Sequence, residues 1–477
     1  MTNGIQHGKI PTFRGITCDS RKVKPGYAFF AITGFKEDGN EYIAEAIDKG
    51  ASVIFTEKSI ESSKIPIIQI DDSRKMMGKL AAEFYGLPAE KINLIGVTGT
   101  NGKTTTTHLI YDLLNYKEKQ CGLIGTVKVD TGNNIKPGNL TTPQSNLLQK
   151  YLRKMVDNNL KYACMEVSSH GIKLKRIEAT TFKVKIGTNI TTDHFDLHSD
   201  FNDYINVKKK FLRENNSNVL VLINNDDQQL RSFGIIAENQ LNYGLKGDVS
   251  IKAENISQKN ITTNFIYKLN KSLYGKKGVI PSCSFPVKML LPGKHNIYNA
   301  LIVITIGLYY GLTPAFIQSF FSKYQGVWRR LQVIYDRDFI IIDDCAHNPG
   351  SYEAVFKTII NIDYNNLHII NSLRGNRTIK INTANAEKIS YWLPQLKNYN
   401  LYTSNCNEVV KENDKVKKEE EKAFLQVLKD NKIKFTHFKQ LKPALKTALK
   451  KKIKGDLILL LGPHAMDQAG NIIKDLL

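Results

Sequence analysis

The segment with the clearest chemistry is a glycine- and threonine-rich loop, TGTNGKT over residues 98–104, between a predicted strand and a predicted helix. Glycines let backbone N–H groups turn inward around a polyphosphate, and the helix N-terminus adds partial positive charge. Lys103 is expected to reach the β- and γ-phosphates, and the Thr104 hydroxyl to hold Mg²⁺. Gly96 lies one residue too far from Gly102 for the spacing GxxxxGK, so the loop is a variant. We predict a nucleotide triphosphate site at Gly99, Thr100, Asn101, Gly102, Lys103, Thr104 and Thr105.

A second candidate, Glu166, ends the predicted strand YACME. A carboxylate at the carboxyl end of a strand beside a phosphate loop is well placed for Mg²⁺, which prefers oxygen ligands. Taken alone, this residue could equally be a helix N-cap or a surface carboxylate.

The elements that position these residues follow from the hydrophobic pattern. Residues 14–90 alternate short apolar runs with turns and predict a small α/β unit. From Ile92, apolar strands alternate with helices, which is typical of a parallel sheet covered on both faces. Residues 246–290 are β-rich, and a third α/β unit follows. We predict an α/β protein of three domains, a central P-loop-type parallel sheet flanked by a small N-terminal α/β domain and a C-terminal Rossmann-like α/β domain, with boundaries 1–88, 89–326 and 327–477.

The composition narrows the class of protein. Of 477 residues, 42% are hydrophobic, and 67 Lys+Arg against 45 Asp+Glu give a net charge of +22, which favours anionic partners. The six cysteines show no zinc spacing, and the first residues have no apolar core typical of a signal peptide. The longest apolar stretch, Ala300 to Leu312, is too short to span a bilayer and predicts a buried helix. We expect a soluble, cytoplasmic protein.

The segment TGTNGKTTT resembles the ATP loop of the Mur ligases, ATP-dependent amino-acid ligases of peptidoglycan precursor synthesis. The resemblance runs from about Ile16 to Leu331 and more weakly to the C-terminus. Within the family it is strongest to the ligases that add the third residue of the stem peptide. It implies ATP and Mg²⁺ as cofactors and addition of an amino acid to the carboxylate of a UDP-MurNAc-L-Ala-D-Glu-type precursor through an acyl phosphate, with ADP released. The three domains would then bind the UDP substrate, ATP and the amino acid.

The resemblance also assigns substrate-binding residues. The segment DSRKV at 19–23 is similar to the family's UDP-binding signature, and TTP at 141–143 is similar to its muramoyl-peptide loop, with Leu140 as an extra residue. An arginine suits such a substrate because its fork binds phosphate or carboxylate. The substrate-binding residues implied are Ser20, Thr141, Thr142, Ser168, Arg176 and His198.

Two metal ligands rest on the resemblance alone. TNITTDHFDLH at 188–198 is similar to the family's T-N-L-x-x-D-H-L-D-x-H, which implies His194 as a ligand of a second Mg²⁺. Lys208 stands at the family's spacing for a lysine carbamylated by CO₂, which would turn an ammonium into an anionic oxygen ligand. Lys209 and Lys210 are adjacent, so the assignment could shift by one residue. The catalytic set implied is Lys103, Glu166, His194 and Lys208, and the metal set is Thr104, Glu166, His194 and carbamylated Lys208.

Further nucleotide contacts come from two later motifs. LPGKHNIYNAL resembles L-P-G-x-F-N-x-x-N and implies that Asn296 and Asn299 meet the adenine. Arg330 occurs where the family has G-R-M-E and is expected to reach the ATP phosphates; Arg329 and Gln332 are departures. Asp344, in a segment that resembles D-Y-A-H-x-P, would accept from the ribose hydroxyls, and His347 would lie near the nucleotide.

The match fails in the third domain. Members that add meso-diaminopimelate carry D-N-P-R where this chain has SNCNE at 404–408, so the arginine is absent and Glu408 has the opposite charge. The late motif G-K-G-H-E is replaced by GPHAM at 462–466. Arg377, or less favourably Arg374, could still bind the carboxylate of the amino acid. We therefore expect an amino acid other than meso-diaminopimelate, with lysine or another amine open.

Two rival hypotheses remain at this point. A Mur ligase paralogue could form the same bond on a non-peptidoglycan acceptor, giving a peptide or polyglutamate-like product. A P-loop ATPase could instead bind nucleic acid through its +22 charge, with affinity that falls steeply with salt. The UDP and muramoyl motifs favour small-molecule substrates, namely a UDP-muramoyl-peptide, an amino acid and ATP. We expect a monomer with no nucleic-acid or membrane partner.

Overall fold

The structure is a computed structural model that describes residues 11–34, 37–61, 64–191, 197–214, 218–234, 237–375 and 378–477. Its contacts divide the chain into two compact units, one up to Ser250 and the other from Ile251. Both units are α/β, as predicted from the alternation of apolar strands and amphipathic helices. The boundaries proposed at 88/89 and 326/327 stay a prediction.

The first unit begins with a small parallel sheet in the order β1-β2-β3-β4. Its strands are β1 (Gly15–Thr17), β2 (Tyr27–Ala31), β3 (Val53–Thr56) and β4 (Ile67–Gln69), and its helices are α1 (Ile43–Asp48) and α2 (Ser73–Phe84). The central strands β2 and β3 are almost wholly buried. Side chains of both strands therefore enter two apolar clusters, one on each face of the sheet.

A larger sheet of the same unit carries the phosphate loop. Its strands are β5 (Asn93–Thr98), β6 (Cys121–Ile124), β7 (Lys128–Asp130), β8 (Ile135–Pro137), β9 (Tyr162–Glu166), β10 (Val184–Gly187), β11 (Leu220–Asn224) and β12 (Asn239–Gly244). They follow the order β12-β11-β10-β5-β9-β6-β7-β8, parallel from β12 to β6 and antiparallel from β6 to β8. The helices are α3 (Lys103–Leu114), α4 (Ser145–Asp157), α5 (Ser169–Lys173), α6 (Phe201–Arg213) and α7 (Gln228–Arg231).

The strand order brings three loops to one edge of this sheet. β5 lies between β9 and β10, with Val97 opposite Glu166 and Thr98 opposite Gly187. Parallel strands end at the same edge, so the segments after β5, β9 and β10 are neighbours, as in other open α/β sheets that bind ligands at the carboxyl ends of their strands.

The second unit begins with an antiparallel meander. It contains β13 (Ile251–Lys259), β14 (Thr262–Leu269) and β17 (Cys283–Met289), with the hairpin β15 (Leu273–Gly275) and β16 (Gly278–Ile280). Buried and half-buried residues alternate along β14, as expected for a sheet with one covered face. Two helices follow, α8 (Lys294–Tyr309) and α9 (Pro314–Lys323). Helix α8 is buried over most of its length, as the apolar run from Ala300 predicted.

A six-stranded sheet completes this unit in the order β18-β19-β23-β20-β21-β22. Its strands are β18 (Gln332–Asp336), β19 (Ile340–Asp344), β20 (Leu367–Ser372), β21 (Tyr399–Ser404), β22 (Phe435–Phe438) and β23 (Leu457–Leu461). Only β18 is antiparallel to its neighbour. The helices α10 (Pro349–Ile359), α11 (Ile379–Trp392), α12 (Lys418–Asp430), α13 (Leu441–Lys451) and α14 (Ala469–Leu476) cover two apolar clusters.

Two strands of this sheet were not predicted from the sequence. β18 and β22 are the edge strands, and their residues are mostly half-buried rather than buried. Edge strands need no continuous apolar run, so they lack the signal that identified β19, β20, β21 and β23. Within the described part of the chain, none of the helices combines the length and apolar character needed to cross a membrane.

Candidate active site

The loop after β5 turns sharply at two glycines. Gly99 has φ +146° and Gly102 has φ +85°, both in the region that favours glycine. A Cβ on Gly99 would lie 1.8 Å from Oγ1 of Thr188, so the side-chain hydrogen is required by close approach as well. The first helical bond of α3 runs from the amide of Thr106 to the carbonyl of Gly102 at 2.9 Å. The amides of residues 103–105 therefore precede the helical ladder, which suits them to an anion.

The segment after β10 holds the loop in this shape. Asn189 accepts from the amide of Thr100 through its carbonyl, at 2.8 Å, and from the amide of Asn101 through Oδ1, at 2.9 Å. Its Nδ2 donates to the carbonyl of Asn101 at 3.0 Å. These bonds use the loop amides at 100 and 101, so those two amides do not point at a phosphate in this arrangement. Asn189 was not among the predicted site residues, although it lies in the segment TNITTDHFDLH at 188–198.

Two lysines converge on the loop. Nζ of Lys103 donates to the carbonyls of Gly99 and Thr100 at 2.8 and 3.0 Å. Nζ of Lys208, on α6, donates to the same Gly99 carbonyl at 3.0 Å, and Lys208 is only 1% exposed. Tyr204 supports this arrangement, because its ring lies 4.6 Å from Nζ of Lys208 and its hydroxyl lies 2.8 Å from Oγ1 of Thr100. The side chains of Lys103 and Lys208 thus meet at one carbonyl oxygen of the loop.

Glu166 ends β9 as a fully buried carboxylate. Its Oε2 accepts from the hydroxyl of Thr104 at 2.8 Å, and its Oε1 accepts from the amide of Thr126 at 2.8 Å. The Thr126 hydroxyl adds a bond of 3.2 Å. A Cβ on Gly125 would lie 2.4 Å from Oε1, so this glycine leaves room for the carboxylate. The interpretation of Glu166 as an exposed surface carboxylate is wrong.

The pair formed by Thr104 and Glu166 fits the Mg²⁺ ion that the family resemblance implied. The donors in the three bonds to Glu166 are neutral, and a buried carboxylate favours a cation nearby. The Thr104 hydroxyl and the Glu166 carboxylate are the hard oxygen ligands that Mg²⁺ prefers, and Mg²⁺ commonly completes its shell with substrate phosphates and water. In the part of the chain that the structure describes, no group of three or more His, Cys, Asp and Glu side chains could hold a metal ion. His194 lies outside the described residues.

The predicted substrate loop packs beside the same carboxylate. The Thr142 hydroxyl donates to the carbonyl of Glu166 at 2.8 Å and lies 3.0 Å from Oγ of Ser168, the N-cap of α5. Nη1 of Arg176 donates to the carbonyl of Thr142 at 2.9 Å, and burial lowers the pKa of Arg176. Oγ1 of Thr141 lies 3.0 Å from Oγ1 of Thr126. Four predicted substrate residues therefore form one bonded group around the end of β9.

His198 and Ser20 lie in separate polar groups. Nδ1 of His198 lies 3.0 Å from Oδ2 of Asp203, which also accepts from Nζ of Lys173 at 2.5 Å. The Ser20 hydroxyl donates to Oε2 of Glu45 at 2.7 Å in the small N-terminal sheet region. Their predicted contacts with substrate stay predictions.

In the second unit, the predicted adenine residues start helix α8. Asn296 and Asn299 are buried on successive turns. Nδ2 of Asn296 donates to the carbonyl of Pro292 at 2.8 Å, and Nδ2 of Asn299 donates to Oδ1 of Asn296 at 3.2 Å. This chain of amide bonds fixes both side chains, and their role toward adenine stays a prediction.

Arg330 precedes β18 and Asp344 ends β19, and the antiparallel pairing of these strands brings both residues to one end of the six-stranded sheet. Oδ2 of Asp344 accepts from the amide of Leu331 at 2.8 Å. Burial raises the pKa of Asp344 to about 6, although the charge of Arg330 acts in the opposite direction. Arg329, which stands where the family motif has glycine, is 1% exposed. Its Nη1 donates to the carbonyl of Pro463, in the loop at 462–467, at 2.9 Å. Two segments that depart from the family motifs are therefore in direct contact.

The segment at 404–408, which differs from the family's D-N-P-R motif, has a structural role. Oε1 of Glu408 accepts from the amide of Leu441 at 2.8 Å and so caps helix α13. Arg374 donates from Nη1 to the carbonyl of His347 at 3.0 Å. Arg377 lies outside the described residues, so the choice between Arg377 and Arg374 as the carboxylate-binding residue stays open.

Three family models match successive parts of the chain. They are "Mur ligase family, catalytic domain" over residues 12–85, "Mur ligase middle domain" over 97–307 and "Mur ligase, glutamate ligase domain" over 329–464. Together they cover most of the sequence, and the family resemblance of the sequence motifs is confirmed.

Named relatives are similar over most of their length. The UDP-N-acetylmuramoyl-L-alanyl-D-glutamate–2,6-diaminopimelate ligase of Aquifex aeolicus (strain VF5) is 35% identical over 365 residues, 76% of this chain and 72% of the relative. Ligases of the same name from Clostridioides difficile (strain 630) and Geobacillus kaustophilus (strain HTA426) are 36% and 32% identical, over 71% and 78% of this chain and 69% and 76% of the relatives.

Solved structures share the fold. A structure of a UDP-N-acetylmuramoyl-L-alanyl-D-glutamate–2,6-diaminopimelate ligase has a TM-score of 0.66 at 22% identity and covers 97% of this chain and 95% of that one. MurF ligase from Thermotoga maritima in complex with ADP has a TM-score of 0.60 at 18% identity, covering 98% and 96%. At these identities the likeness concerns the fold, and the predicted three-domain α/β class is confirmed.

One functional prediction is corrected by the relatives. We expected an amino acid other than meso-diaminopimelate, because the D-N-P-R arginine is absent. That expectation is wrong, since relatives 32–36% identical over most of the chain are named as 2,6-diaminopimelate ligases. The loss of one arginine is a weak ground for excluding an amino acid, because a carboxylate can be bound by any suitably placed donors.

Proposed function

The chain belongs to the Mur ligase family of ATP-dependent, ADP-forming ligases, and on that premise we propose that it adds 2,6-diaminopimelate to the D-glutamyl carboxylate of UDP-N-acetylmuramoyl-L-alanyl-D-glutamate. ATP and Mg²⁺ are its cofactors. The amino acid and the acceptor are those in the names of its relatives. The proposed role of the protein is therefore a step of peptidoglycan precursor synthesis.

The observation that carries the proposal is the grouping at the carboxyl edge of the larger sheet. The phosphate loop, the buried Glu166 and the Thr142–Ser168–Arg176 group are connected by hydrogen bonds. A nucleotide polyphosphate on the loop would thus lie beside the segment proposed to hold the anionic acceptor. Adjacent sites of this kind suit a reaction between a carboxylate and a γ-phosphate.

The proposed reaction has two steps. An oxygen of the acceptor carboxylate attacks the γ-phosphorus, the bond to the bridging oxygen breaks and ADP leaves. The amine of the amino acid then attacks the carbonyl carbon of the acyl phosphate, loses a proton and expels phosphate. Bound Mg²⁺ supplies charge neutralisation on the phosphate oxygens. Lys103 and Arg330 are proposed to supply fixed positive charge while negative charge develops on those oxygens. Thr104 and Glu166 are the proposed metal ligands.

Lys208 is the proposed site of carbamylation. It is the buried member of its lysine run, whereas Lys209 is half-buried and Lys210 is exposed. Nζ of Lys208 and Nζ of Lys103 both bond the Gly99 carbonyl, so two positive charges are close together. A carbamate on Lys208 would replace one of these charges by an anion and relieve the repulsion. We propose that Lys208→Ala loses activity and recovers part of it with a short carboxylic acid, whereas Lys209→Ala keeps normal activity.

The remaining predicted contacts complete the proposal. Asn296, Asn299 and Asp344 are proposed to bind the adenosine, and Ser20 the uridine diphosphate. His194 and His198 are proposed to act at the second metal and the acceptor, and Arg377 at the amino-acid carboxylate. All the partners proposed are small molecules, and we propose a monomer.

A product assay tests the function. The protein is incubated with UDP-N-acetylmuramoyl-L-alanyl-D-glutamate, Mg·ATP and single amino acids, and the UDP product is weighed by mass spectrometry. We expect the mass of one diaminopimelate residue to be added with release of ADP. An acceptor with an ¹⁸O-labelled carboxylate is expected to pass one label to the released phosphate, as an acyl phosphate requires. Absence of product with 2,6-diaminopimelate, or product with lysine alone, would contradict the proposed substrate.

A further inference from the structure

We infer that Arg329 is a positioning residue that holds Arg330 and Asp344 in place for the nucleotide by tying the turn before β18 to the loop after β23. The inference rests on the proposed function, because it needs Arg330 and Asp344 to contact ATP.

The first observation is the backbone of the turn. Arg329 has φ +54° and Leu331 has φ +47°, so two residues with side chains adopt the left-handed conformation within three positions. Glycine takes this conformation most readily, and the motif that this segment resembles has glycine at the place of Arg329. The chain therefore keeps a glycine-like backbone while it carries a large side chain, which requires that the side chain be firmly held.

The second observation is how completely the side chain is bonded. Nε of Arg329 donates to Oδ1 of Asp343 at 3.1 Å, and Nη1 donates to the carbonyl of Pro463 at 2.9 Å and to Oδ1 of Asp467 at 2.6 Å. Nη2 donates to the carbonyl of Gly462. Burial would lower the pKa of Arg329, but the Asp343 and Asp467 carboxylates hold this pKa above its ordinary value. The guanidinium is thus a charged cross-link inside the protein.

The third observation is that the loop at the far end of the cross-link is itself fixed. Gly462 follows β23, an inner strand of the six-stranded sheet, and has φ +131°. A Cβ on Gly462 would lie 2.0 Å from Oγ of Ser372 at the end of β20. The carbonyls that receive the Arg329 guanidinium are therefore anchored to two inner strands. Because the loop after β23 is anchored in this way, it can hold Arg329 in a fixed position.

The fourth observation links the cross-link to the nucleotide residues. The carbonyl of Arg329 accepts from the amide of Cys345 at 2.9 Å, and the amide of Leu331 donates to Oδ2 of Asp344 at 2.8 Å. Arg330 stands between these two contacts. The backbone around Arg330 and the carboxylate of Asp344 therefore share one support, and a shift of the turn would displace both groups.

Binding of Mg·AMP-PNP to the full-length protein, measured by calorimetry, tests the inference. We expect Arg329→Met to weaken binding about tenfold, as displacement of two contacting groups would. Arg337→Met makes the same substitution at an exposed arginine of the same unit and should leave binding unchanged. Asp467→Asn keeps an acceptor oxygen but removes the negative charge that faces Arg329 from the loop, while the Asp343 ion pair stays, so it should weaken binding by a smaller factor. If Arg329→Met does not fold, the Asp467→Asn result decides.

A mutant cycle separates positioning from simple stability. If Arg329 acts only through Arg330 and Asp344, adding Arg329→Met to the variant Arg330→Ala/Asp344→Asn should weaken binding little further. The inference would be overturned if the losses of affinity caused by the separate substitutions multiplied in the combined variant. It would also be overturned if folded Arg329→Met or Asp467→Asn bound the nucleotide as tightly as the wild type. A wild-type protein that binds no Mg·AMP-PNP would instead overturn the proposed function, together with the inference built on it.

Discussion

The hydroxyl of Thr104 donates to Oε2 of Glu166 across 2.8 Å, and this bond joins the first turn of α3 to the end of β9. The two residues are 62 positions apart in sequence. A hydroxyl and a carboxylate held together beside a phosphate loop form one half of a site for a hard divalent cation. The pairing of β5 with β9 therefore sets where these two proposed metal ligands lie relative to the loop.

Replacement of Glu166 by glutamine should separate charge from shape. The amide keeps the size of the carboxylate but loses the negative charge, and it places an N–H₂ donor where a carboxylate oxygen accepted from Thr104 or Thr126. We expect product formation to fall about a hundredfold or more and the Mg²⁺ concentration needed for half-maximal rate to rise. Glu118→Gln, at an exposed position, is the control. An unchanged Mg²⁺ dependence would exclude Glu166 as a metal ligand.

Lys103→Ala should silence the enzyme without unfolding it. Lys103 is half-buried at the first position of α3, and alanine favours the helical conformation, so the substitution should leave the fold intact. We expect kcat/KM for ATP to fall about a hundredfold or more, because fixed positive charge at the phosphates is lost. The exposed Lys117→Ala serves for comparison. Normal turnover by Lys103→Ala would refute the assignment of the loop to ATP.

Gly99→Ala should be destabilising for a reason that a control can isolate. Its Cβ would overlap Oγ1 of Thr188 at 1.8 Å, in addition to the strain of φ +146°. We expect the free energy of unfolding to drop by about 1–3 kcal/mol and ATP binding to weaken. Gly247→Ala also has a positive φ, +68°, but meets nothing within 4 Å. Equal losses in the two variants, measured by urea unfolding, would show that close approach to Thr188 is unimportant.

The rate should depend on pH through Asp344. Burial raises the pKa of this carboxyl to about 6, so the carboxylate that we propose as the acceptor for the ribose hydroxyls is lost as the pH falls through that value. We expect kcat/KM for ATP to fall by up to about tenfold per pH unit below this value. Asp344→Asn should raise KM and remove this part of the pH profile.

The same shift has a consequence of opposite sign for stability. The folded-state pKa of Asp344 lies above its ordinary value of 3.8, so the folded protein binds the proton more tightly than the unfolded chain does. The contribution of this group to stability therefore decreases as the pH rises from about 4 to about 6 and then stays at the lower value. Urea unfolding of wild type and Asp344→Asn across this range measures the difference.

Features that depend on neighbouring residues could be predicted from the sequence. The strand–loop–helix setting of TGTNGKT, the apolar runs of the inner strands and the buried character of α8 all follow from side-chain type and period within a few residues. The edge strands β18 and β22 were missed because their residues are only half-buried, and a half-buried strand needs no continuous apolar run. Glu166 was identified at a strand end, but its complete burial was not evident from sequence.

Contacts between distant segments required the folded chain. Asn189 shapes the phosphate loop from 88 positions away, and Arg329 bonds Pro463 from 134 positions away. Neither relation has a local signal, because sequence spacing constrains contacts only within an element, whereas strand order decides which loops meet at a sheet edge. The residue types that could bind a phosphate and a cation could thus be read from the chain, and the pairing of β5 with β9 and β10 brought them to one place.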